Sequence, residues 1–366
     1  MFAVQFSCQQ MSDMNRLAHR CYVLAAIILA QVVLFIVPVA AHHSIAVHYD
    51  MSNIQEVTGT LVSVNFRNPH TTLKFTVENE LGGLDTWHGE AGALNAISRD
   101  GVTADLFQQG DHITVTGPVS RFGRKEMIAI AVDHKDQRYF LFAPIAKLMK
   151  MKVIDSTNAG KVLSSGGNEV VPVNAPNIFR VWTPIDFPAT AIHPLDLSLT
   201  ESAKQAAQNY DEIVDDLAVK CIAPGMPSML DNPYPVQFVD QGDQIIVRHE
   251  EWGAERIVYM TEGSKQTGPT SKYGYSLGRW EDGSLLIETT NIDYPYFDDG
   301  GTPMTKEMTI TERYTLRSDQ SRLDWTATFD DPEVFLSPVS FGGSFGWVPD
   351  TQILEFICKL GEDSTE

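Results

Sequence analysis

Seven of the ten histidines fall between residues 42 and 134: His42, His43, His48, His70, His88, His112 and His134. The first two follow the small-residue run Val39-Ala40-Ala41. A proteolytic cut after Ala41 leaves a free α-amine on His42 and imidazoles on the first two residues. A cut after Ala40 leaves a free amine on Ala41 and a histidine, His43, at the third position. In either case amine, deprotonated amide and imidazole nitrogens form a tetragonal set, and such sets favour Cu(II). His48, His70 or His88 can complete it; His42, His43, His70 and His88 are the candidate metal ligands and copper the candidate metal. Plainer chemistry competes at each position. A terminal His-His-Ser is commonly a solvated tail, a histidine in a turn hydrogen-bonds the backbone, and His88 beside Trp87 is packed or exposed.

The histidine pair takes its meaning from what precedes it. Arg16, His19 and Arg20 form a short basic segment, and Tyr22 to Val37 is an apolar run interrupted by Gln31. Pro38 and the small residues then end it. This is the order of a secretory signal peptide, residues 1–41. The run is shorter than the roughly 20 residues that span a bilayer core, so an uncleaved anchor is the alternative reading. No later apolar run is long enough to cross. The expected location is periplasmic or secreted, with membrane attachment only if the leader is retained.

The formal net charge is −20, and hydrophobic residues make up 43% of the chain, enough for sizeable cores. The leader carries two basic residues and one acidic one, so the remainder is more acidic still. Such a field repels phosphate backbones, and no basic patch offsets it, which argues against a nucleic-acid partner. Of four cysteines, Cys8 and Cys21 precede the expected cut. Cys221 and Cys358 remain as a candidate disulfide in an oxidising compartment.

Residues 42–135 alternate in the two-residue period of strands: Glu56 to Asn65, Thr71 to Glu78, Asp85 to Glu90, Asp111 to Gly117 and Lys125 to Asp133. One helix-like segment, Ala91 to Arg99, falls between the third and fourth. Five strands with a helix at that place predict an OB-like barrel. Residues 136–235 read as a linker with short helices and extended runs. It holds a Gly/Ser-rich stretch from Asn158 to Asn168, a candidate strand over Asn177 to Thr183, a helix over Glu201 to Asn209 capped by Thr200, and the proline-rich crossing Cys221 to Pro235. Residues 236–366 read as an antiparallel β meander, a barrel or a sandwich, with strands at Val236–Asp240, Gln244–Glu250, Glu255–Thr261, Tyr273–Trp280, Ser284–Thr290, Glu307–Arg317, Arg322–Asp330, Val339–Gly346 and Ile353–Lys359. The turn Glu281-Asp282-Gly283 marks a hairpin. A closed meander can hold one small apolar ligand. The whole is mainly β.

No catalytic constellation stands out. Phosphate-loop, G-x-G-x-x-G and H-E-x-x-H patterns are absent. Ser344 in Gly342-Gly343-Ser344-Phe345-Gly346 has no assignable base. Asp298 and Asp299 lack the further spaced oxygens of a calcium loop. Glu250-Glu251 and Asp330-Asp331 can act as an acid/base pair only if they converge on a cleft. Asp211, Glu212, Asp215 and Asp216 read as a solvated face.

Two segments are similar to known sequences. Ala41-His42-His43-Ser44, the Asn68-Pro69-His70 turn, Trp87 before a short helix, and Gly110-Asp111 leading to Gly117 stand in the order found in an exported bacterial family, domain of unknown function 6152. The resemblance covers residues 41 to about 133 and implies a small exported β-domain with no assigned activity. The Cys221–Pro235 stretch, with Tyr273 to Thr290, resembles the C-terminal part of uncharacterised bacterial proteins. The expectation is a non-enzymatic envelope protein that binds a small ligand or copper. An enzyme using acids or histidines of the C-terminal domain, and a structural or interaction module, are the alternatives.

Overall fold

The computed structural model describes residues 48–148, 151, 178–185, 197–211, 215–230, 232–260 and 268–359. The leader, His42 and His43, and the Asn158–Asn168 stretch lie outside them. Among the described residues, no helix is long and apolar enough to cross a membrane.

The N-terminal region is a closed five-stranded barrel. Its strands are β1 (Tyr49–Asn65), β2 (Thr72–Glu78), β3 (Leu84–Glu90), β4 (His112–Ser120) and β5 (Glu126–Ile128). They run in the order β1-β2-β3-β5-β4, and β4 returns to pair with β1. Helix α1 (Leu94–Arg99) sits between β3 and β4, the OB arrangement that the strand order predicts. Alternation decides which side chains face inward: Val57 and Leu61 of β1, Leu73 and Phe75 of β2, and Ile113 and Val115 of β4 pack with Ile97 of α1. Gly117 lies where β4 passes the end of β5. A Cβ there would stand 1.7 Å from the Ile128 carbonyl oxygen, so no larger residue fits.

The expected fifth strand divides in two. The Ala129 amide bonds to Glu90 O on β3 at 2.6 Å, whereas the Ile130 amide bonds to Thr116 O on β4 at 2.9 Å. The chain changes partner within one residue. It continues as β6 (Ala131–His134) and β7 (Gln137–Phe140), which extend the sheet beyond β4, and then as helix α2 (Ala143–Leu148).

The C-terminal region is a closed nine-stranded barrel: β8 (Val181–Pro184), β9 (Val236–Asp240), β10 (Gln244–His249), β11 (Glu255–Met260), β12 (Tyr275–Glu281), β13 (Ser284–Thr290), β14 (Thr309–Leu316), β15 (Arg322–Asp330) and β16 (Val339–Gly346). Asp282 and Gly283, both left-handed at φ 50° and 77°, make the tight β12–β13 turn. Two features differ from the meander expectation. β11 and β12 pair in parallel, Val258 opposite Ser276, because a long crossing joins them instead of a hairpin. The ninth strand is β8, drawn from the expected linker. Residues 353–359 are not a strand; they pair only through the bridge between Asn68 and Cys358.

Helix α3 (Glu201–Gln208) begins as its sequence predicts, with the Thr200 hydroxyl accepting from the Ala203 amide at 3.3 Å. Cys221 and Cys358 form a disulfide with Cα atoms 5.7 Å apart.

Candidate functional site

The predicted histidine ligands are not gathered into one place. His70 Nδ1 lies 3.1 Å from Glu90 Oε1 and 3.2 Å from the Ala91 carbonyl oxygen. A carbonyl oxygen only accepts, so Nδ1 carries the proton. His88 stands on β3 opposite Lys74 of β2 and Glu126 of β5. Burial, and then the Lys74 charge, hold its pKa below the usual value. Among the described residues no three His, Cys, Asp or Glu side chains form a group able to hold a metal ion.

The acidic candidates are engaged in local structure. Asp298 accepts from the Gly300 amide at 3.1 Å, the Thr302 amide at 3.0 Å and the Thr302 hydroxyl at 2.8 Å. Asp331 accepts from the Thr305 amide at 2.7 Å, the Thr305 hydroxyl at 3.0 Å and the Glu333 amide at 3.2 Å. Ser344 donates to Asp324 Oδ1 at 2.7 Å and accepts from Arg322. Burial pushes Asp324 upward, but hydrogen bonds from Ser344, Arg317 and Arg322 outweigh it and hold its pKa at about 2. A carboxylate so weakly basic cannot take the Ser344 proton, so the glycine-flanked serine is a cross-strand contact between β15 and β16.

The family motifs have structural work to do. Gly110 takes φ 90°, open to glycine, and Asp111 Oδ2 accepts from the Gln108 amide at 2.7 Å. Asn68 of the Asn-Pro-His turn is buried at the seam between the barrels. It donates to Asn95 Oδ1 at 3.0 Å and accepts from the Asn95 amide at 3.2 Å. Asn95 in turn donates to Glu250 Oε1 at 3.2 Å. Glu250, fully buried at the end of β10, also takes both arms of Arg99 and the Leu354 amide at 2.8 Å. Ala93, Tyr234 and Phe356 close the apolar side of this seam. One charged partner, Arg99, and neutral donors from Asn95 and the Leu354 amide explain how Glu250 tolerates burial. Glu250 of the Glu250-Glu251 pair is thus a seam element.

One site does combine a cleft with an unused polar group. Residue alternation along β10 places Ile245, Val247 and His249 on the inner face of the large barrel. His249, 7% exposed, lines a small cleft of about 10 Å³, room for about one water, with Tyr234, Tyr314, Trp325 and Phe345. Its Nε2 is buried and has no partner among the described residues. Asn232, the other polar side chain at the wall, is bound to its own turn: it donates to Met229 O at 2.6 Å and accepts from the Tyr234 amide at 3.1 Å. Tyr314 is tied by its hydroxyl to Glu312 Oε2 at 2.8 Å. His249 Nε2 is therefore a hydrogen-bonding group at the cleft with no partner among the described residues. Burial first, and the Arg256 charge second, push its pKa down to about 3. The imidazole stays neutral in the folded protein where an unfolded chain is protonated. The sign follows: His249 costs no stability above pH 6.5, and it subtracts stability as pH falls from there toward 3.

Sequence reasoning passed over His249, Arg256 and Glu312. The signal was there. Each occupies an inward position of a strand whose other inward residues are apolar: Val258 beside Arg256 on β11, and Ile310 and Tyr314 around Glu312 on β14.

The comparisons agree with the N-terminal reading. A model described as a family of unknown function (DUF6152) matches residues 31–129. No curated protein matches the chain.

Proposed function

We propose that this is an exported envelope protein that binds a small uncharged ligand in the aromatic cleft of the nine-stranded barrel, without catalysing its conversion. The observation that carries this reading is the neutral, buried imidazole of His249, whose Nε2 is unused against a wall of aromatic rings. Closed barrels hold single small ligands in this way, with few polar groups to orient them. The cleft has room for about one water, so a flat ligand with one hydroxyl enters it by displacing the rings of Tyr234, Trp325 and Phe345. A phenolic O–H both donates and accepts, so it serves either tautomer of the imidazole.

Titration with p-cresol, followed by tryptophan fluorescence, tests the reading. The wild-type protein is expected to bind saturably, and His249→Phe to weaken binding about tenfold, the effect of one lost hydrogen bond. Toluene, which lacks the hydroxyl, is expected to bind both proteins alike. Equal affinity of the two proteins for p-cresol, or no saturable binding, rejects the site.

A second reading rests on the Ala40-Ala41-His42-His43 sequence: a terminal amine and imidazole that bind Cu(II). His70 and His88 are not required for it. Calorimetric titration of Cu(II) into protein with an authentic mature terminus is expected to give stoichiometric binding. Binding that survives His42→Ala with His43→Ala removes this reading.

A further inference from the structure

Arg180 immediately precedes β8, the strand that closes the large barrel. Its guanidinium carbon lies 4.6 Å from the ring centroid of Trp182 and 4.6 Å from that of Trp347. One donor is used: Nη2 bonds to the Gln320 carbonyl oxygen at 3.0 Å. Nε and Nη1 are shut off from solvent and have no partner among the described residues, and the same is true of Gln320 Oε1. Burial alone lowers the pKa of Arg180, with no acid beside it to oppose the shift.

Its neighbours are treated differently. Arg317 and Arg322 both meet Asp324, at 2.9 and 2.7 Å. Arg99 and Arg256 face Glu250 and Glu312. In a chain of net charge −20, carboxylates are plentiful. A half-buried cation without one is a cost that stacking on two indoles offsets only in part. Buried donors without partners point to an ion or water that completes them.

We propose that Arg180 anchors a second binding site, for a small carboxylate that also carries a hydroxyl. Trp182 and Trp347 both lie at cation–π distance from the guanidinium, which leaves its in-plane N–H groups for a ligand. In-plane approach with hydrogen bonds from the fork is how arginine takes carboxylates. Gln320 Oε1 is an acceptor and repels a bare oxyanion, but it receives a hydroxyl proton. A hydroxy acid satisfies both, and inorganic phosphate matches the pair less well.

The test uses the full mature chain and three probes at matched ionic strength: sodium glycolate, sodium acetate and sodium phosphate, with sodium chloride as reference. Thermal unfolding is expected to show a saturable rise in midpoint with glycolate, with acetate about tenfold weaker. Arg180→Lys keeps the charge but loses the planar fork, and it is expected to weaken glycolate about tenfold or more while leaving p-cresol binding at His249 unchanged. Arg180→Met is expected to abolish the shift. If Arg180→Met does not fold, Arg180→Lys decides alone. A glycolate response unchanged in Arg180→Lys, no saturable response to any probe, or a preference for phosphate overturns the assignment. Because p-cresol reports on the His249 cleft, failure here is distinguishable from failure of the proposed function.

Discussion

Arg256→Met is expected to destabilise the large barrel by about 3–5 kcal/mol, the usual cost of stranding one partner of a buried ion pair. The pair is closed to water on both sides, with side-chain exposures of 2% for Arg256 and 0% for Glu312. Two parallel hydrogen bonds join them, at 2.6 and 2.9 Å. Burial alone would push the guanidinium pKa down; the Glu312 charge more than offsets it and holds the group protonated. Removing Arg256 leaves a carboxylate that has only the Tyr314 hydroxyl, at 2.8 Å. The expected rescue separates the two parts of this argument. Arg256→Met combined with Glu312→Leu removes both charges, and it is expected to recover most of the loss, because an apolar pair of similar volume often replaces a buried salt bridge without penalty. Denaturant titration of the two variants checks it. If the single variant is as stable as wild type, the barrel interior is wetter than its geometry implies. If the double variant is worse than the single, the pair is held for packing and not for charge.

The same residues show what the sequence made legible. Strand existence and order could be read from the two-residue alternation, since each strand of both barrels has one face in a core. That is why Val57 and Leu61, or Ile310 and Tyr314, announce their strands. The five-stranded barrel was readable as a topology because its helix falls at the place where an OB order needs one. The ninth strand of the large barrel was legible as a strand, over Asn177–Thr183, but not as part of that barrel. Val181–Pro184 is four residues long, too short to establish a period that would assign it a partner. The last place in the barrel was given to residues 353–359, where alternation is present but the backbone runs along the seam. The candidate site was hidden for a different reason. A histidine or arginine in phase with apolar residues breaks the pattern that identifies strands, so it reads as noise in the alternation. Glu250 illustrates the limit from the other side: its partners Asn95 and Arg99 lie about 150 residues away in sequence, at separations of 155 and 151. Nothing local encodes a contact of that range.

Removing the Cys221–Cys358 disulfide is the other large change expected. The bond joins positions 137 residues apart. In the chain-entropy account, a loop of that length stabilises the fold by about 5 kcal/mol, and measured losses in comparable cases run at about 2–5 kcal/mol. The tail that Cys358 anchors adds a local consequence. Lys359 bonds through its amide to Asn68 O at 3.2 Å, Glu355 O accepts from Asn95 at 3.2 Å, and Gln352 O accepts from Arg99 at 3.2 Å. Together with the Leu354 amide on Glu250, these contacts place residues 352–359 across the seam between the barrels. Cys221→Ser with Cys358→Ser is therefore expected to do two things: lower the global denaturation midpoint, and raise amide exchange in residues 352–359 and at Asn68 and Asn95 before the strands of either barrel open. Entropy alone predicts the first and not the second, because a cross-link that acts only on the unfolded chain leaves native exchange near the tail unchanged. Identical midpoints for the oxidised protein and the double serine variant would mean that the seam contacts hold the tail without help from the bond.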